Sequence, residues 1–420
     1  MALDLNFLGH NTRYATHGLH SYAAKCPPQL VKYCLDEYTN EGDLVLDQMA
    51  GSGTTLVEAK INGRSAIGFD IDPLACLIAS VKTRVLDDES IEKASSFVIS
   101  SAKKDLQLIQ NGSASKELLQ QCAAPLFANR DYWFSEHVQE ELALISYYIQ
   151  NVQADGNTRE FLWVAFSGII LTKVSVANAR DIIHSRHHYF AHQEQPKAIE
   201  RFEKRVQLMR RQMNEFRKLC TNREVTVRIQ KGDARELPLG DNSVDLVFTS
   251  PPYATALDYP RAHFLAVSWM KPVFGTTLDE YKSSGKGYIG SERGQVGKLV
   301  EDSTLGNLAC STVMQLAQID QRRAVIVQRY FQDMKKVLKE TRRVLRPGKS
   351  AVLVVCPSHI RKLQIPTHKV FTDIAVPLGL ELISEHERTI DSSKRVLPYV
   401  RESFGDRMST EYVLVYKKGE

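Results

Sequence analysis

Leu44-Val45-Leu46-Asp47-Gln48-Met49-Ala50-Gly51-Ser52-Gly53-Thr54-Thr55 reads as a strand, a glycine turn and the start of a helix. Leu44-Val45-Leu46 is a short apolar run of the buried-strand type, and the Gly-x-Gly after it lets backbone pass close to a ligand. From Thr54 onward the pattern turns helical, so unpaired N–H groups at the helix start point back at the turn. This is the βα opening of a doubly wound α/β sheet, with a ligand expected at its first turn.

Ser65-Ala66-Ile67-Gly68-Phe69 reads as a second strand ending at Asp70, 17 residues after Gly53. That is close to the spacing at which an acidic side chain takes a ribose diol in such folds. Asp72 before Pro73 has the form of a helix N-cap with proline in the first turn. Asp70 is therefore the expected ribose ligand and Asp72 mainly structural. A dinucleotide site competes for the same turn. Its fingerprint needs a third glycine, and Leu56 stands there instead.

A second motif lies at the end of another apolar run. Ser243-Val244-Asp245-Leu246-Val247-Phe248-Thr249 reads as a strand, followed at once by Ser250-Pro251-Pro252-Tyr253. The proline pair removes two backbone donors and holds the chain extended, which leaves carbonyls able to accept protons from an amino group. Ser250 adds a hydroxyl and Tyr253 a ring on which a flat base can stack. A proline-stiffened loop under a core tyrosine is the structural alternative.

Taken together, these stretches resemble the amino-methylating DNA methyltransferases, the family that modifies the exocyclic amino group of cytosine or adenine. The resemblance rests on His20-Ser21-Tyr22-Ala23-Ala24-Lys25-Cys26-Pro27-Pro28, Asp47 to Thr55, Gly68-Phe69-Asp70-Ile71-Asp72-Pro73, Gly232-Asp233-Ala234, Ser250 to Tyr253 and Arg343-Val344-Leu345-Arg346-Pro347-Gly348-Lys349. It implies a Rossmann-like class I S-adenosylmethionine-dependent sheet closed by an antiparallel hairpin. The implied cofactor set is Tyr22, Asp47, Gly51, Ser52, Gly53, Thr54, Asp70 and Asp233, with Asp47 on the methionine ammonium and Asp233 on the adenine amino group. The implied catalytic set is Ser250, Pro251, Pro252 and Tyr253. Within the family, serine at the head of that tetrapeptide favours cytosine, and aspartate or asparagine favours adenine. One departure is Gln48-Met49, where the family usually has Pro-Phe. A turn aspartate is the structural alternative for Asp233.

At 420 residues, the chain is long enough for a large core in one elaborated domain or two. A net charge of +5 and a pI near 8.7 suit a local phosphate-binding face on a mixed surface. Seven scattered cysteines, without a Cys-x-x-Cys, argue for reduced thiols and against a zinc site. With no signal-like run and no long uncharged stretch, a cytoplasmic prokaryotic location and no membrane partner are expected. Cys356, after the apolar run from Ala351 to Val355, reads as a strand-end core residue, so no thiolate attack on a base is expected.

The motifs divide the chain into a catalytic part, 1–84 and 225–420, and a helical insertion, 85–224, that is a candidate target-recognition region. Stretches 136–150, 159–176 and 197–219 carry apolar spacings of three and four. Residues 197–218 are rich in Lys and Arg, as a solvated amphipathic helix or as a DNA-backbone contact. Within Asn178-Ala179-Arg180-Asp181-Ile182-Ile183-His184-Ser185-Arg186-His187-His188-Tyr189, the basic and aromatic side chains suit phosphate contact. Arg180, Arg186 and His187 are the DNA-binding candidates there, against a hydrogen-bonded structural cluster or, least favoured, a metal site. Residues 256–325 read as a loop-rich insertion near the active site, with Tyr288, Arg293 and Lys298 among glycines. DNA is the expected partner, with a cognate restriction endonuclease as a further one. An RNA base methylase and a non-catalytic binding module are the rival functions.

Overall fold

The computed structural model describes residues 4–22, 25–175, 196–222, 224–254, 259–275, 278–292, 297–390 and 409–420. Its strands are β1 (Leu44–Asp47), β2 (Ser65–Asp70), β3 (Val227–Lys231), β4 (Val244–Thr249), β5 (Leu345–Val355), β6 (Ser358–Ile360), β7 (Leu363–Ile365), β8 (Leu380–Thr389) and β9 (Thr410–Lys418). Seven form one sheet in the order β3-β2-β1-β4-β5-β9-β8, and β6 and β7 pair separately. Neighbours from β3 through β5 are parallel, while β9 runs antiparallel to both β5 and β8. This is a Rossmann-like sheet with its final hairpin reversed.

Strand alternation explains how both faces of the sheet are covered. Val45, Leu246, Val352, Val354, Val413 and Val415 share one buried cluster with Leu30, Leu35 and Leu56 from the helices Pro28–Tyr38 and Thr54–Ile61. Their strand neighbours Leu46, Val247, Ala351, Leu353, Leu414 and Tyr416 point the other way, onto Tyr330, Met334, Val337 and Leu338 of the helix Gln321–Val344. A period of two along each strand thus sorts apolar side chains into two cores. β4 is buried along its whole length, as a central parallel strand must be.

The helical insertion adds a third core. Its helices Asp88–Gln110, Glu136–Asn151, Gly156–Ile169 and Ala198–Leu219 bury apolar side chains in one cluster with Leu74, Ile78 and Val81 of the helix Pro73–Thr83. The insertion is therefore packed directly against a helix that flanks the cofactor strands. On the basic helix Ala198–Leu219, Arg210 donates to Asp88 at 2.9 and 2.8 Å and Lys103 reaches Glu203 at 2.7 Å. Arg217 donates to the Leu86 carbonyl. Part of its charge is thus tied to its own neighbours, as a structural helix face requires.

Several boundaries differ from expectation. The helix Asp88–Gln110 escapes the apolar pattern because its buried positions include Ala94, Ser95, Ala102 and Asp105. Residues 256–325, glycine- and serine-rich in parts, carry the helices Tyr259–Trp269, Leu278–Ser284 and Asn307–Ile319. β5 starts at Leu345, ahead of the apolar run from Ala351: it advances from Leu345 to Ser350 while β4 advances only from Val244 to Leu246, so Arg346 to Lys349 form a bulge. No helix among the described residues is long and apolar enough to cross a membrane.

Candidate active site

β1 and β4 are hydrogen-bonded neighbours, with Val45 opposite Leu246 and Leu46 opposite Val247. From β1 the sheet grows outward through β2 and β3, and from β4 in the opposite direction through β5. Their carboxyl ends therefore flank the point where strand order reverses, the place at which doubly wound sheets bind ligands. The two sequence motifs, far apart along the chain, leave the sheet side by side there. Between them lies a cleft of about 920 Å³, the open solvent at its mouth included. Tyr22, Asp47, Gly51, Ser52, Thr54, Asp70, Asp233, Ser250 and Pro252 all line it.

The glycine turn has the conformation that its sequence implies. Gly51 and Gly53 take φ of +50° and +78°, a region that favours glycine. A Cβ on Gly51 would stand 3.2 Å from the Tyr22 ring, and one on Gly53 would stand 2.8 Å from Ala79 Cβ. Gly53 thus faces the helix Pro73–Thr83, while Gly51 faces the cleft. Leu56 is accommodated where a dinucleotide site would have glycine because Gly68 of β2 lies opposite; a Cβ at Gly68 would come within 2.7 Å of Leu56 Cδ1. At the Gln48-Met49 departure, buried Gln48 donates from Nε2 to Thr341 Oγ1 at 2.8 Å, tying the turn to the helix Gln321–Val344. Behind the turn, fully buried Lys82 donates to the Ser52 carbonyl at 2.7 Å, and burial pushes its amine well below the usual range.

Three carboxylates stand close to this turn. Asp47 accepts from Thr55 Oγ1 at 2.6 Å and from the Met49 amide at 3.2 Å, and burial raises its carboxyl to about 6. Asp70 accepts from the Gly51 amide at 2.7 Å and from the Asp72 amide at 2.9 Å. Burial, followed by the charge of Asp72, raises the Asp70 carboxyl to about 7. Asp72 caps the helix Pro73–Thr83 as expected, accepting from Leu74 N and Ala75 N. Its second oxygen faces His263, Tyr281 and Tyr288, partners that cap chemistry does not predict. Asp233 lines the cleft at the end of β3, but its carboxylate is held by Arg235 through contacts of 2.6 to 3.1 Å. Burial opposes its ionisation, and the Arg235 hydrogen bonds outweigh burial and hold the Asp233 carboxyl below its ordinary value.

On the substrate side, Ser250 Oγ donates to the Val354 carbonyl at 3.3 Å, which leaves the hydroxyl its accepting lone pairs. The expectation of unengaged proline carbonyls needs correction: the Pro252 carbonyl accepts from the Tyr330 phenol at 3.0 Å. That bond pins the tetrapeptide to the helix Gln321–Val344. Tyr253 donates its phenol to Glu411 Oε1 at 3.0 Å, and Glu411 in turn pairs with Arg388. Neither Tyr253 nor Pro251 is among the residues that line the cleft itself. Gly290 packs against the tetrapeptide, since a Cβ there would lie 2.8 Å from the Tyr253 carbonyl.

Some cleft residues carry no motif. Tyr259 lines the cleft and stacks on Tyr22, with centroids 5.8 Å apart at 27°, and Tyr288 and Ile289 close another wall. Tyr259 precedes a proline, like a helix-starting residue, and nothing local marks it as a cleft residue. Arg180, Arg186, His187 and Arg293 lie outside the described residues. Among the described residues, no cluster of His, Cys, Asp and Glu could hold a metal ion. Cys356 is buried at the end of β5, its thiol directed to the Thr410 carbonyl at 3.1 Å, and burial raises it to about 12. A thiol so protonated is a poor nucleophile. Cys356→Ala is therefore expected to retain methyl-transfer activity, and trapping of a covalent adduct on 5-fluorocytosine DNA would overturn this.

A parallel sheet that reverses its final hairpin, with a glycine turn and a proline-rich strand end at its switch point, is the architecture of a methyltransferase of the Rossmann-like class. Comparison with known proteins narrows the class. A family model described as DNA methylase matches residues 4–81. The Type II methyltransferase M.MvaI of Kocuria varians is 27% identical over 386 residues, covering 88% of this chain and 83% of its own. M.MjaII of Methanocaldococcus jannaschii is 43% identical over 93 residues, 22% of this chain and 17% of that relative. M.BsoBI of Geobacillus stearothermophilus is 24% identical over 278 residues, covering 62% of this chain and 53% of its own. A solved SAM-dependent methyltransferase from Methanosarcina mazei covers 92% of this chain and 97% of its own at 10% identity, with a TM-score of 0.32. These matches support the amino-methylating DNA methyltransferase family for this chain.

Proposed function

We propose that the protein transfers the methyl group of S-adenosylmethionine to the exocyclic amino nitrogen of a DNA base, with N4 of cytosine as its target. The observation that carries this reading is the adjacency of β1 and β4, which brings the glycine turn and Ser250 into the lining of one cleft. The residues present suit the cofactor. Gly51 offers close backbone approach, Asp47 a buried carboxylate for an ammonium, and Asp70 a carboxylate for a ribose diol. Asp233 stays a candidate for the adenine amino group, sharing its charge with Arg235.

The bound cofactor supplies an electrophilic methyl on a sulfonium, so the protein's task is alignment and exclusion of water. An exocyclic amino nitrogen is a weak nucleophile because its lone pair is delocalised into the ring. Ser250 Oγ and the Pro251 carbonyl accept from its two N–H groups, which favours a pyramidal nitrogen with its lone pair toward the methyl. In a duplex the base is first swung out of the stack, and Tyr253 stacks on it. Arg180, Arg186 and His187 contact the DNA backbone from the helical insertion. The Type II designation of the relatives supports a restriction endonuclease as companion.

Serine at the head of the tetrapeptide supports cytosine over adenine. Nucleoside mass spectrometry after incubating DNA and RNA with the protein and labelled cofactor tests the reading. Label in N4-methylcytosine of DNA is the expected result. Label on adenine N6 would overturn the base assignment, and label confined to RNA would overturn the DNA substrate.

A further inference from the structure

We infer that Asp72 is a positioning residue that fastens the helices Tyr259–Trp269 and Leu278–Ser284, and Tyr288 beyond them, against the cofactor cleft. The inference rests on the methyl-transfer reading above and names a residue that organises the same site.

An N-cap needs one side-chain oxygen, and Asp72 Oδ1 supplies it, accepting from Leu74 N at 2.8 Å and Ala75 N at 3.1 Å. The other oxygen makes no contact within its own helix in that role. Asp72 Oδ2 accepts from His263 Nδ1 at 2.9 Å, Tyr281 OH at 3.2 Å and Tyr288 OH at 3.3 Å. Two helices and a following turn thus converge on one carboxylate oxygen of Asp72, a residue 1% exposed. Gathering three donors at one buried point demands a strong acceptor, which an ionised carboxylate provides. Burial raises Asp72 and lowers His263, yet their attraction prevails, leaving the carboxyl below and the imidazole above their ordinary values.

The gathered residues lead back to the cleft. Tyr288 and Tyr259 line it, Tyr259 stacks on Tyr22, and His263 lies with its ring centroid 5.4 Å from that of Tyr22. Tyr22 in turn covers Gly51 of the glycine turn. On its other side, the Asp72 amide donates to Asp70 at 2.9 Å. Asp72 therefore ties the acidic end of β2 to the wall that stands over the cofactor. A residue that only capped its helix would leave that wall to other contacts.

Two variants separate these roles. Asp72→Asn keeps an oxygen for the cap but sets an amide against three donors, and Tyr288→Phe removes one donor and leaves the cap untouched. Hydrogen exchange on the cofactor-free protein reads the fastening directly. Asp72→Asn is expected to speed exchange at least about tenfold in helices 259–269 and 278–284 while helix 73–83 stays protected. Calorimetric titration with S-adenosylhomocysteine reads the consequence, with binding weakened about tenfold by Asp72→Asn and about threefold by Tyr288→Phe. The double variant should lose less than the product of the two, because both remove one shared contact. Unchanged exchange in 259–284, or multiplicative losses in the double variant, would overturn the inference. If Asp72→Asn fails to fold, Tyr281→Phe and Tyr288→Phe, paired in the same cycle, decide it. Wild-type protein that does not bind S-adenosylhomocysteine would sink the methyl-transfer reading, while the exchange pattern would still decide the role of Asp72.

Discussion

Ser250→Ala is expected to lower turnover by about 10²-fold while leaving the affinity for S-adenosylmethionine unchanged, the loss typical of removing one aligned polar group at a reacting centre. The side chain faces the cleft from the end of β4, anchored by its donation to Val354. Its accepting lone pairs are what an amino group would meet. Alanine removes that acceptor without altering the side chains of Asp47 or Asp70 or the Gly51 backbone in the same cleft, so the effect belongs to kcat. Tyr253→Ala should lower turnover similarly by removing the ring proposed to stack on the target base. Tyr253→Phe keeps the ring and loses only the bond to Glu411, so a loss of severalfold is expected. Single-turnover methylation assays alongside cofactor titrations check this. A Ser250→Ala protein that turns over normally, or whose defect lies wholly in cofactor binding, would remove Ser250 from the substrate side.

Much of this site is legible in the sequence, for local reasons. β1, β2 and β4 are short apolar runs, and each ends at a polar motif whose glycines or prolines constrain the backbone regardless of what surrounds it. What escapes is set by tertiary partners. The departures at Gln48 and Leu56 look like weaknesses until Thr341 and Gly68 are seen beside them. Asp72 reads as a cap because one of its oxygens is one. His263, Tyr281 and Tyr288, the partners of the other oxygen, lie some two hundred residues away in the chain and follow no spacing rule. The capture of Asp233 by Arg235 is closer, two residues on, yet an Asp-x-Arg pair in a turn is equally compatible with both side chains in solvent. The helix Asp88–Gln110 is hidden differently, by small and polar residues on its buried face.

Affinity for S-adenosylmethionine is expected to rise steeply with pH across the neutral range, because two of the carboxylates proposed to hold it ionise late. Asp70 is raised to about 7 by burial and then by the neighbouring Asp72 charge, and Asp47 to about 6 by burial. The ionised forms accept from a ribose diol and pair with an ammonium; the protonated forms do neither as well. Each such group changes the binding constant by up to a decade per pH unit below its pKa. Between about pH 5.5 and 7.5, Kd should therefore fall on the order of 10²-fold. The cofactor-free protein should respond with the opposite sign. A carboxyl whose folded pKa lies above its unfolded value binds its proton more tightly when folded. The contribution of Asp47 and Asp70 to stability is thus full at low pH and is lost as pH rises from about 4 through about 7. Calorimetric titrations over this range test the affinity, and Asp70→Ala should weaken binding and flatten the profile above about pH 6. A Kd independent of pH would show that neither carboxylate changes charge on the path to the bound state. Opposed slopes for affinity and stability would instead locate the cost of the site: acids are kept beside the glycine turn, where their charge becomes favourable only when a cofactor's own groups complete it.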